Sequence, residues 1–282
     1  MNLFEKFLHI LEFEVPSPSA YGIFHIICLI LTVAASVFLV WRFRDASDKT
    51  VRRLLLGVWV VLVVLEVYKQ LVYAMDVENG VATWDYAWYA FPFQFCSTPL
   101  YALPFIIFLK DGWVRRAFMA YFATFSLFAG LAVMVYPGDV FVTSLLGIDL
   151  QTMIHHGSQV VLGILLVAYN RRRLNLRYFA ESLLVFCAFA AVAMILNVGV
   201  HHYLVSNGMD DTFNMFFISP YHPCTLPILS DIYKKVPYAV FLVIYLLGFS
   251  LVSALVFGIE KGIIALIQRP KRRAQVSADA TA

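Results

Sequence analysis

The chain has 282 residues, 61% hydrophobic and 14% charged, with a mean hydropathy of +0.79. Soluble domains carry about 25% charged residues, so this composition excludes an ordinary soluble fold and points to a polytopic membrane protein. The net charge of +3 is too small to suggest nucleic acid, and no nucleic-acid partner is expected.

Residues 1–19 contain Glu5, Glu12 and Glu14 and lack a basic start, which is not the pattern of a cleavable signal peptide. Apolar windows of about 20 residues then recur at about 20–41, 54–75, 88–109, 114–136, 145–169, 178–203 and 236–258. The expected fold class is all-α, with seven transmembrane helices in one domain over 1–273. The small polar residues of 274–282 predict a disordered tail.

Charge orients the spans. Seventeen of the 21 Lys and Arg residues fall in 42–53, 110–116, 171–177 and 261–273, at alternate ends of successive spans. The opposite connections are acidic, with Asp76, Glu78, Asp85, Asp139, Asp149, Asp210, Asp211 and Asp231. The positive-inside rule places the N-terminus outside and the C-terminus in the cytoplasm. The expected location is a bacterial plasma membrane. Cys28, Cys96 and Cys187 lie within spans and Cys224 in an outer loop, so no disulfide framework is predicted.

The second span carries Glu66, Lys69, Gln70 and Tyr73 on one helical face. The stripe is either a self-neutralising ion pair facing a neighbour or the wall of a polar cavity, and both readings turn it away from lipid. The third span reads Phe91-Pro-Phe-Gln-Phe-Cys96, with Pro92, Pro99 and Pro104 set to bend the chain and free carbonyls near the thiol. Buried cysteine often acts only as a small hydrophobe, as expected of Cys28 and Cys187. The fifth span carries His155 and His156 about ten residues below the outer face, roughly level with Cys96. A membrane histidine is more often a packing residue than a catalyst, but two in succession opposite a thiol favour a site.

Asn197 and His201 are four residues apart late in the sixth span. The apolar segment 213–229, broken by Pro220, Pro223 and Pro227, predicts a cap over the outer mouth. It would bring Asn214 or His222 towards the histidine pair. There is no phosphate loop, no His-Glu-x-x-His and no paired-cysteine zinc spacing, so neither metal nor cofactor is expected.

Phe-Pro-Phe-Gln-Phe-Cys96, His156-Gly157, Asn197 and Asn214-Met-Phe-Phe217 followed by Pro220 resemble, in order, motifs of the YwaF-like bacterial integral membrane proteins. The same shape is shared by the eukaryotic transmembrane-protein-164 group of cysteine-dependent lipid acyltransferases. The resemblance covers about residues 60–255. It implies Cys96 as acyl-accepting nucleophile and His156, or else His155, as its base. Gln94 stands where many relatives have histidine, which leaves that position without a second base.

The expected function is a membrane lipid acyltransferase or acyl hydrolase, with phospholipid as partner. Glu66, Lys69, Gln70, Gln94, His155, Asn197, His201, Asn214 and His222 are the expected substrate-side residues. The alternatives are a transporter or channel for a small polar solute or proton, and a non-catalytic lipid-binding protein.

Overall fold

The computed structural model describes residues 3–78, 81–141 and 143–279. Its helices are α1 (Leu3–Leu11), α2 (Ile23–Phe43), α3 (Asp48–Val72), α4 (Pro99–Phe108), α5 (Trp113–Tyr121), α6 (Leu127–Val135), α7 (Leu146–Tyr169), α8 (Leu176–Ser206), α9 (Leu229–Tyr233) and α10 (Tyr238–Asp279). A π-helical turn, Phe122–Ser126, joins α5 and α6 into one apolar rod. Side-chain caps set two starts: Ser47 accepts from the Thr50 N–H before α3, and Asn175 accepts from the Tyr178 N–H before α8.

Six helices among the described residues are long and apolar enough to cross a membrane. Seven were expected, and the third departs from expectation. Only α4, ten residues long, is regular within 88–109, and it follows short 3₁₀ turns at Trp88–Ala90 and Phe95–Ser97. Proline is the cause. Pro99 has no N–H to offer the Phe95 carbonyl, and Pro104 none for Leu100, so the helical ladder cannot run through the segment.

The broken segment nevertheless follows α3 along its length. The N–H groups of Asp85 and Ala87 donate to the carbonyls of Ala74 and Tyr73, just past the C-terminal end of α3. At the other end, the Arg52 guanidinium donates to the Ile107 and Leu109 carbonyls. Side chains take up the carbonyls freed between these ends. Gln70 reaches Ala90 (2.9 Å), Tyr101 reaches Pro92 (2.7 Å) and the Trp59 indole reaches Leu100 (2.9 Å). Irregular backbone at membrane depth needs such partners, since no water is there to replace them.

Two short features complete the described chain. The acidic connection after α3 forms an antiparallel hairpin, β1 (Met75–Glu78) with β2 (Val81–Trp84). The helix α10 continues to Asp279 and takes in residues 274–279, where the alanines favour helix; 280–282 lie outside the described residues. All four cysteines are free thiols, consistent with the absence of an expected disulfide framework.

The centre of the bundle is α7, with 78% of its apolar window buried. It packs against α2, α3 and α6. Small residues allow the approach: a Cβ on Gly130 of α6 would stand 2.8 Å from the His156 carbonyl and 2.7 Å from Gln159 Cβ. The three basic connections near residues 45, 111 and 171 gather at one end around a polar cavity of about 500 Å³. There Arg115 pairs with Asp48 at 2.6 Å, and Arg171 pairs with Asp45.

Candidate functional site

One polar face of α7 is written at four-residue spacing, Gln151, His155 and Gln159. The break in the third segment sets the Cys96 carbonyl opposite this face. His155 Nε2 lies 2.8 Å from that oxygen, and the Gln159 amide donates to it at 2.7 Å. The Cys96 carbonyl thus receives two side-chain donors from α7.

A carbonyl can only accept, so His155 carries its proton on Nε2 and leaves Nδ1 as a lone pair. His156 does the reverse. Its Nδ1 donates to the Thr152 carbonyl at 2.8 Å, and Nε2 holds the lone pair. Both free nitrogens, His155 Nδ1 and His156 Nε2, are buried without a hydrogen-bond partner, as is Gln159 Oε1. Unsatisfied buried acceptors are rare in folded proteins, and two on adjacent imidazoles mark a place built to accept a proton or donor.

Cys96, His155 and His156 share one cavity of about 200 Å³ with Glu66, Lys69 and Gln94. Tyr73, Tyr89, Val140 and Thr143 line it as well. Lys69 Nζ sits 2.8 Å from Glu66 Oε1, and both are largely buried. The Gln70 amide reaches the same Glu66 oxygen at 2.7 Å, and Gln151 approaches the other at 3.4 Å. The expected stripe on α3 therefore faces the bundle interior. A second cavity, apolar and about 850 Å³, lies between α3 and α4 with Glu66 and Gln70 in its wall.

The cap is real in shape but differs in place. Asn197 grips Met215 with both ends of its amide, donating to the carbonyl at 3.0 Å and accepting from the N–H at 2.7 Å. Gln94 does the same one residue either side, donating to Asn214 O and accepting from Phe216 N, each at 2.9 Å. Asn214 turns its side chain back on the loop, to Pro223 O and Ser219 N. None of residues 213–229 lines the cavity; the segment instead holds Gln94, two residues before Cys96. His201 and His222 do not reach the histidine pair either. Both bond Asp211, at 2.5 and 2.9 Å.

Sequence reasoning missed Gln159, Gln151 and the pairing of Asp211. The Gln151–His155–Gln159 spacing was a usable signal for the first two. Asp211 had none, since its partners are ten and eleven residues away across a turn.

The TMEM164 family profile matches residues 20–259, most of the chain, including every residue around the cavity. The chain belongs to the TMEM164 family. Comparison with curated proteins and with solved structures gives no match. Family membership, six long apolar helices and a buried polar cavity together describe a multi-pass membrane protein.

Proposed function

We propose that this TMEM164 family member is a lipid acyltransferase or acyl hydrolase that forms a thioester on Cys96, in a bacterial plasma membrane. The observation that carries the reading is one cavity that brings together a free cysteine, two imidazoles with unpartnered lone pairs and an ammonium. The resemblance to cysteine-dependent acyltransferases supports it.

The chemistry follows from what each group can do. A thiolate rather than a thiol attacks an ester, and a nearby base and cation make the thiolate accessible. His156 Nε2 takes the thiol proton while Lys69 favours the developing negative charge. Sulfur bonds to the ester carbon, the carbon–oxygen bond of the phospholipid breaks, and the proton passes from His156 to the leaving alkoxide. A hydroxyl or amine of an acceptor, or water, then attacks the thioester and returns the thiol. Gln94 and Asn197 were expected on the substrate side, but their amides are committed to the cap. The Ser97 hydroxyl and Lys69 remain for that role. The apolar cavity beyond Glu66 is a place for an acyl chain.

In this reading the irregular segment and α4 together complete a seventh crossing, with the N-terminus outside and the basic end cytoplasmic. The site then lies in the outer half of the membrane. A solute or proton carrier is the second reading, favoured by the Glu66–Lys69–Gln70–Gln151 network, whose parts are those of a relay.

The test is labelling of purified protein in nanodiscs with an activated acyl thioester lipid. Cys96 is expected to be acylated at least about tenfold faster than Cys28, Cys187 or Cys224, and Cys96→Ser to abolish transfer to an acceptor lipid. Equal labelling of all four thiols, or full transfer by Cys96→Ser and Cys96→Ala, would overturn the enzyme reading. Proton or solute flux into vesicles that is lost with Glu66→Gln would install the carrier reading in its place.

A further inference from the structure

Outside the cavity, the described residues contain one more dense group of metal-binding side chains, at the outer end of α8. His201, Asp211 and His222 each present one ligand atom, all within 4.8 Å of one another. His201 comes from the last turn and a half of α8, Asp211 from the loop that leaves it, and His222 from the cap. We propose that these three residues form a binding site for a single Zn²⁺ or similar divalent transition metal, and that the ion staples the cap to α8.

The donor set is the argument. Two imidazoles and one carboxylate are the commonest ligands of such metals, and three protein ligands leave room for water as a fourth. Ligand atoms around a tetrahedral ion with bonds of about 2.0–2.1 Å stand about 3.3 Å apart. His201 Nδ1 and His222 Nε2 now stand 2.5 and 2.9 Å from the same oxygen, Asp211 Oδ2. Shifts of under about 1 Å per atom convert this cluster to ligating distances. The three side chains are only 10–25% exposed, so little solvent competes.

The surroundings hold the ligands in place. The Tyr221 ring stacks on His201, with centroids 3.4 Å apart and planes 7° from parallel. Asp211 Oδ1 accepts from the Phe213 N–H at 3.1 Å, which aims Oδ2 at the imidazoles. Such outer partners fix ligand orientation in metal sites. Each neutral imidazole that now donates its N–H to Asp211 would shift that proton to its other nitrogen on binding, so the lone pair faces the ion. The ligands span 201 to 222 across a turn, which is why no short spacing motif announces them. The inference does not rest on acyl transfer: the site lies apart from Cys96 and needs none of its chemistry.

The experiment uses full-length protein, purified without an affinity tag, stripped with a chelator and titrated with ZnCl₂, then with CoCl₂ as a spectroscopic probe. Wild type should retain one equivalent of Zn²⁺ through desalting and show visible Co²⁺ bands of a tetrahedral site. His202→Ala, which spares all three ligands, should do the same. His222→Gln is the deciding variant, because the glutamine amide can still donate to Asp211 but does not replace an imidazole as a ligand. It should lose the equivalent and the Co²⁺ bands while keeping its unliganded melting temperature. No binding by wild type, or a full equivalent in His222→Gln, would show that the cluster is a hydrogen-bonded clasp and overturn the proposal.

Discussion

His155 donates Nε2–H to the carbonyl oxygen of Cys96 across 2.8 Å, so one histidine of the pair holds the backbone of the residue whose thiol faces the cavity. His156, on the next step of the helix, is tied to its own backbone at Thr152 and keeps Nε2 free. The two neighbours are therefore held differently, one bonded to the Cys96 backbone and one to its own helix with a free lone pair. That division generates the first two predictions.

His155→Ala and Gln159→Ala each remove one donor from the Cys96 carbonyl. Either alone should cost about 1–3 kcal/mol, the range for a buried polar group losing its partner. The pair should be non-additive because both serve one acceptor. A double-mutant cycle on denaturation midpoints reads this, and strict additivity would mean that the carbonyl finds another partner.

His156→Ala should leave the Cys96 backbone in place, since His155 and Gln159 still hold it, yet slow Cys96 acylation by about 10²–10⁴-fold if Nε2 serves as base. The check is the acylation rate beside the melting temperature. A large loss of stability with an unchanged rate would assign His156 to packing.

Glu66→Leu should strand Lys69 in the bundle and cost about 3–5 kcal/mol. The double change Glu66→Leu with Lys69→Leu should recover much of that loss, because it removes both charges together. Thermal denaturation in one detergent compares the three proteins. A double variant no better than the single would show that Gln70 and Gln151 need the carboxylate more than Lys69 does.

Gly130→Val would place side-chain atoms against the His156 carbonyl and Gln159 Cβ, where even a Cβ has only 2.8 and 2.7 Å. The helices α6 and α7 must separate to admit it, at about 1–3 kcal/mol. Hydrogen exchange should rise near 152–160 and Cys96 acylation should fall. Exchange rates equal to wild type would mean that α7 absorbs the insertion without moving the site.

Much of this was legible in the residues and some was not. The apolar windows located the long helices because length and composition suffice for that. Glu66, Lys69, Cys96, His155 and His156 could be brought to one level because each sits at a countable depth on a span. The third span failed as a helix although Pro92, Pro99 and Pro104 were visible. Helix propensity says that proline breaks a ladder, but not that Gln70, Trp59, Tyr101 and Gln159 stand ready to take the freed carbonyls. The same reason hid the role of Gln94 and Asn197. An amide on a span suggests a substrate donor, whereas a two-ended grip on another loop's backbone is a property of tertiary contact alone.

That grip has a mechanical side. Phe216 and Phe217 stand consecutively at φ of 59° and 56°, a left-handed region that bulky L-residues avoid at about 1–2 kcal/mol each. The Phe216 ring is fully enclosed among Phe93 and Phe95, and the amides of Gln94 and Asn197 hold the backbone from the Asn214 carbonyl to the Phe216 N–H. The loop is thus a cocked spring latched by two amides. Since one latch, Gln94, lies two residues from Cys96, tension released in the cap would be felt first at the thiol's own 3₁₀ turn.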